Sequence, residues 1–162
     1  MANDTFATDY VHRVYAGGDP EYTRTAVVYA ASAIKPGMAI YVEAGYAYPA
    51  IASTGLFSGI AQEKAGDDID AYFAAGEVIS YFPAGCGCEV WAMFAATTPT
   101  AAVTMYEGQW VALSATAGQL MLFAYTNAAQ ATDSNWNQVG RIAVETANHA
   151  SYMRLAPIKL TE

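Results

Sequence analysis

The sequence predicts an all-β fold, a single compact β-barrel or sandwich of short strands with an extended N-terminal arm, on three observations. Its apolar runs are of strand length, and several alternate with period two, as Ile40 and Val42 do against Tyr41 and Glu43. Glycine and proline, 13 and 6 of the 162 residues, punctuate those runs about every ten residues, the rhythm of a barrel or sandwich. No segment sustains a helical period over several turns.

Residues 1–23 read as the arm and 24–162 as the barrel domain. The arm holds Asp4, Asp9, Asp19 and Glu21, an Ala16-Gly17-Gly18-Asp19-Pro20 breaker cluster and no sustained apolar period. It also carries Tyr10, Val11, Val14, Tyr15 and Tyr22, more apolar and aromatic groups than a solvated tail needs. An arm of this kind lies on something, either its own barrel or a neighbouring copy, and those five residues are the candidate contact residues.

From Thr25 onward strands and turns alternate. Val27–Ala31 is the first expected strand. Lys35-Pro36-Gly37 is a turn, because Pro presets φ at the first central position and Gly accepts positive φ at the second. Ile40–Glu43 follows, then an irregular stretch over 44–55, and strand again over Leu56–Gln62. Ile69–Phe73 and Glu77–Phe82 flank Ala74-Ala75-Gly76 as a hairpin, closed by Pro83-Ala84-Gly85. Val90–Phe94 is next. Val103–Met105 and Trp110–Ser114 flank Glu107-Gly108-Gln109 as a second hairpin. Leu120–Tyr125, a polar loop over 128–137, Val139–Glu145 and Tyr152–Leu160 complete roughly nine or ten strands.

Composition narrows the function classes. At 162 residues the chain is about one domain and buries roughly 70% of its unfolded surface without needing disulfides. Seven basic against fifteen acidic residues leave a net charge of −8. Phosphate neutralisation needs a basic stripe, and none is present, which disfavours nucleic acid and an anionic membrane alike. Charged residues are only 14%, well under the usual quarter, while 12 tyrosines supply amphipathic rings. Such a surface suits being covered. The first ten residues lack the basic and apolar regions of a secretory signal, and no run approaches the ~20 apolar residues of a membrane helix.

No catalytic, cofactor or metal site assembles in the sequence, which predicts a protein that is not an enzyme. Nucleophilic catalysis needs a base beside the nucleophile, and His12 and His149 sit in no such context. Asp67-Asp68-Ile69-Asp70 fails the EF-hand pattern, because the sixth and twelfth positions from Asp68 are Phe73 and Ile79. Glu77 and Glu89 offer a carboxylate pair whose separation sequence does not give. Cys86-Gly87-Cys88 is too closely spaced for an unstrained disulfide and lacks further metal ligands, so it reads as small residues passing from turn to strand. Gly85-Cys86-Gly87 lacks the rest of a dinucleotide fingerprint.

The order of several motifs resembles the small β-barrel decoration (cement) proteins of tailed-virus capsids. Ala33-Ile34-Lys35-Pro36-Gly37-Met38-Ala39-Ile40 resembles their early Pro-Gly step into a strand, and Ser58-Gly59-Ile60-Ala61 their glycine-hydrophobic-alanine strand. Ala75-Gly76-Glu77-Val78 and Gly85-Cys86-Gly87-Cys88-Glu89-Val90-Trp91 are similar to the paired steps that follow. Tyr106-Glu107-Gly108-Gln109-Trp110-Val111, Val139-Gly140-Arg141-Ile142-Ala143 and Arg154-Leu155-Ala156-Pro157-Ile158-Lys159-Leu160 resemble the later turn, the Gly-Arg-Ala step and the last strand. The resemblance covers about residues 24–160; the many tyrosines and the long loop over 128–137 depart from it. It implies a structural virion protein, made in the host cytoplasm, that binds the major capsid protein on the outer shell as a homotrimer and stabilises the shell. It also implies an arm that reaches the capsid or a neighbouring copy.

Other readings stay open on the residues alone. A carbohydrate-binding or adhesion module would use Trp91, Trp110 and Trp136 with Tyr46 or Tyr48 as a stacking platform. A tail-tube or baseplate subunit is a further virion role.

Overall fold

A computed structural model describes residues 15–17, 23–64, 71–95, 103–122, 138–143, 146–148 and 154–160. Their strands, in chain order, are β1 (Tyr15–Gly17), β2 (Arg24–Val28), β3 (Ala39–Glu43), β4 (Tyr46–Pro49), β5 (Gly59–Ala61) and β6 (Val78–Pro83). Then come β7 (Glu89–Phe94), β8 (Val103–Met105), β9 (Trp110–Leu113), β10 (Leu120–Leu122), β11 (Gln138–Ile142), β12 (Thr146–Asn148) and β13 (Arg154–Leu160). The all-β class stands. Instead of a single barrel or sandwich, however, the strands close into two five-stranded barrels.

The first barrel runs β2-β4-β3-β5-β6 and closes where β6 pairs back onto β2. The second runs β7-β10-β9-β11-β13 and closes through β13 on β7. Strand spacing is blind to this difference, because it depends on which edges meet rather than on how long each strand is. β8 and β12 form a separate two-stranded ribbon.

Period-two alternation fills the first barrel with small and branched side chains. Ala26 and Val28 of β2, Ile40 of β3, Ala47 of β4 and Ile79 and Tyr81 of β6 are buried with Ile34 and Phe73. The second barrel buries Val90, Ala92, Phe94, Val111, Leu113, Leu120, Ile142, Ile158 and Leu160. That second core does not stop at its own strands. Met38, Ala39, Ala50, Ile60 and Phe82, from the first barrel and its loops, belong to the same cluster. Their burial comes from the neighbouring barrel, which is why β5 is buried at all three of its residues.

Backbone hydrogen bonds stitch this seam. Ala39 N–H donates to the Gly118 carbonyl (2.9 Å), Gly118 N–H to Ala50 (2.7 Å), Ala52 N–H to Ser114 (2.9 Å) and Met93 N–H to Gly37 (2.9 Å). Gly118 sits at φ 78°, and a Cβ there would lie 2.9 Å from the Met38 sulfur. Only glycine satisfies the backbone angle and the close approach together.

Several sequence expectations shift in detail. The Pro36-Gly37 turn forms, with Met38 N–H donating to the Lys35 carbonyl (3.2 Å). The stretch expected to be irregular contains β4, entered by a two-residue turn at Ala44 (φ 51°) and Gly45 (φ 85°). Both angles match a type I′ hairpin turn, but Ala replaces the Asn or Asp that usually signals one. The Ala74-Ala75-Gly76 turn forms, yet residues 71–73 are not a strand: Phe73 N–H donates to the Ile34 carbonyl instead. Gly108 likewise makes its turn, but β8 pairs with β12 and β9 with β10 and β11, so the expected hairpin does not form.

Candidate functional site

The outer wall of the first barrel carries a tyrosine face. With Ile40 and Ala47 turned into the core, alternation sends Tyr41 and Glu43 of β3 and Tyr46 and Tyr48 of β4 outward. Antiparallel register sets Tyr41 opposite Tyr48 and Glu43 opposite Tyr46. On the other side of β4 lies β2, in parallel, with Val27 opposite Tyr46. Tyr29 N–H extends that pairing by donating to the Ala47 carbonyl (3.2 Å), which brings a fourth ring alongside.

The four rings pack on one another. Tyr41 and Tyr48 stack with centroids 5.0 Å apart and planes 14° from parallel. Tyr29 tilts over Tyr48 at 4.9 Å, and Tyr46 stands edge-on to Tyr29 at 5.9 Å. Pairs in these geometries add about 0.5–1.5 kcal/mol each beyond area burial. Because β4 lies between β2 and β3, Tyr48 is sandwiched with a ring on either side. Desolvation raises its hydroxyl pKa above the ordinary value, reinforced by Tyr29, Glu43, Tyr41 and Tyr46 around it. Tyr29 and Tyr46 remain 42% and 45% exposed. This surface presents exposed rings on a stacked base, and it suits a polar-aromatic contact with another macromolecule.

Sequence reasoning names Tyr46 and Tyr48 and misses Tyr29 and Tyr41. The Tyr-x-Tyr spacing is legible as one strand face, but the other two join only through cross-strand register. The tryptophans do not share this face. Trp91 is half-buried against the second core, and Trp110 lies under the Arg141 guanidinium, 3.8 Å from its ring centroid, on the second barrel. Trp136 lies outside the described residues.

Among the arm residues, Tyr10, Val11, Val14 and Tyr22 lie outside the described residues. The backbone at Tyr15 forms β1, antiparallel to β7, with Tyr15 opposite Val90 and Gly17 opposite Glu89. That short piece of the arm therefore runs along the protein's own second barrel.

Glu77 caps its own turn by accepting from Ala74 N–H (2.8 Å) and pairs with Lys64 at 2.6 Å, while Glu89 belongs to β7. Cys88 is buried in the core, and Cys86 is half-buried with its sulfur accepting from Cys88 N–H at 3.4 Å; no disulfide joins them. Among the described residues no group of three His, Cys, Asp or Glu side chains is placed to hold a metal ion. His12, His149 and the aspartates at 67, 68 and 70 lie outside them.

No family model and no curated protein matches this chain.

Proposed function

We propose that this protein is a structural virion component that binds the major capsid protein on the outer surface of a viral shell, together with copies of itself as a trimer, and stabilises that shell. It acts without catalysis or cofactor, and neither nucleic acid nor membrane is its partner. The observation that carries the reading is the stacked tyrosine face on a scaffold otherwise poor in charge. Tyrosine brings contact area and a hydrogen-bonding tip at little entropic cost, which is what a broad, wet interface uses. The order of strand and turn motifs, similar to that of decoration proteins, supports the same reading.

The physical mechanism is ligation of the assembled state. A subunit that binds only the closed shell stabilises each site by about 2.7 kcal/mol when its free concentration is a hundredfold above Kd. Repeated over many sites, modest contacts resist rupture together. The acidic surface keeps decorated particles dispersed.

Purified protein added to mature shells that lack it is expected to bind and to raise the temperature at which they rupture. Removing residues 1–23 is expected to weaken that binding. Shells that take up no more of it than of an unrelated acidic protein overturn the proposal.

Carbohydrate binding is the second reading, favoured by the exposure of Tyr29 and Tyr46. A defined hit on a glycan array, lost in Tyr46→Ala, would establish it.

A further inference from the structure

One row of side chains on the outer wall of each barrel matches the other in order and spacing. On the first barrel, register sets Glu43, Tyr46, Val27 and Val78 side by side across β3, β4, β2 and β6. On the second, Lys159, Arg141 and Trp110 stand side by side across β13, β11 and β9. Both rows advance one strand per residue, a step of roughly 4.8 Å. The first row therefore reads acid, phenol ring, apolar, apolar, and the second reads ammonium, guanidinium, indole.

Exposure makes both rows available. Glu43, Tyr46, Arg141 and Lys159 are exposed, and Val78 is 64% exposed, unusual for a valine at a strand position. Arg141 and Lys159 are also the exposed cations that stand next to each other among the described residues. Lys35 is buried, Lys64 is engaged with Glu77, and Arg24 lies on β2. In a chain of net charge −8, this short basic row is where an acidic face finds its complement. Glu89 continues the second row beyond Lys159, but the first row ends at Glu43, because β5 meets β3 only at Ala39 and Ile40.

We propose that these two faces bind each other between copies of this chain. The Glu43 carboxylate of one copy takes the Lys159 ammonium of the next. Tyr46 covers the outer side of the Arg141 guanidinium, completing a sandwich whose inner layer is Trp110, and Val27 and Val78 lie against the indole. The contact is head-to-tail, since each copy offers one face and receives on the other, and such contacts close into rings when the rotation allows. It names surfaces for self-association and needs no shell, so it is tested without one.

Sedimentation velocity of the full chain, from about 1 to about 200 µM, is the experiment. Reversible association is expected, weakening as salt rises. Glu43→Lys and Lys159→Glu are each expected to raise the dissociation constant at least about tenfold, and Tyr46→Ser to weaken it as well. All three positions are on the surface, and far-UV circular dichroism checks that the variants fold. Combining both changes in one chain is expected to recover association. A wild-type protein that stays monomeric, single variants that associate like wild type, or a double variant that fails to recover would each overturn the contact. A monomer that still binds shells would overturn this contact alone, whereas an associating protein that ignores shells would overturn the shell reading alone.

Discussion

At single residues, backbone angle and desolvation set what each position tolerates. Gly118 joins the two barrels through both its N–H and its carbonyl, at positive φ and against Met38. Gly118→Ala incurs about 1–2 kcal/mol for the left-handed angle, and the Met38 contact adds to it. Denaturant unfolding is expected to show a loss of about 2–3 kcal/mol. Ala44, at φ 51°, is the converse case: a residue with a Cβ in a turn that prefers Asn or Gly. Ala44→Asn is expected to stabilise by about 0.5–1 kcal/mol. Tyr48 supplies a pH dependence. Its raised pKa means the folded state favours the protonated phenol, so this contribution is fully present below the unfolded value of about 10 and is lost as pH rises through the folded one. A tyrosinate absorbance titration should show a component ionising above the ordinary tyrosine value of about 10, absent in Tyr48→Phe.

Within elements, local pattern and partner choice separate. The strands at Ala39–Glu43, Val78–Pro83 and Glu89–Phe94 are legible because alternation and bounding Gly or Pro agree. β4 is not, because Ala44-Gly45 lacks the usual hairpin signal even though Tyr46, Ala47 and Tyr48 alternate. The Gly108 turn is legible, but the pairing of β8 with β12 is not, since a turn residue says where the chain bends and not which edge it then meets. The tyrosine face is half legible for the same reason: spacing along β4 yields two rings, and register adds the others. A double-mutant cycle on Tyr41 and Tyr48 is expected to give a coupling of about 0.5–1.5 kcal/mol, because the rings stack directly.

For the whole molecule, the shared core predicts that both barrels unfold together. Phe82 belongs to β6 of the first barrel yet is buried in the cluster of the second. Phe82→Ala is expected to cost about 3–5 kcal/mol through the cavity it leaves. Trp91 of β7 and Trp110 of β9 lie in the second barrel, so their fluorescence reports it. If the seam couples the two, this first-barrel substitution shifts the tryptophan-detected urea midpoint as far as it shifts the far-UV transition. Separate midpoints would show two independent units. At this scale too, a charge-poor surface is a composition-level statement, while its division into a tyrosine-acidic row and a basic-indole row belongs to the assembled barrels.

The all-β class, the positions of most turns and the excess of acidic over basic residues are legible along the chain. Those follow from composition, period-two alternation and the backbone preferences of Gly and Pro, which act over a few residues. That there are two barrels, that Phe82 and Ile60 are buried by the neighbouring one, and that four tyrosines meet on one face emerge only once the chain is folded. Each of these depends on edges distant in sequence coming together. The free energy of such pairing lies in cross-strand contacts and shared burial, which no local window of residues contains.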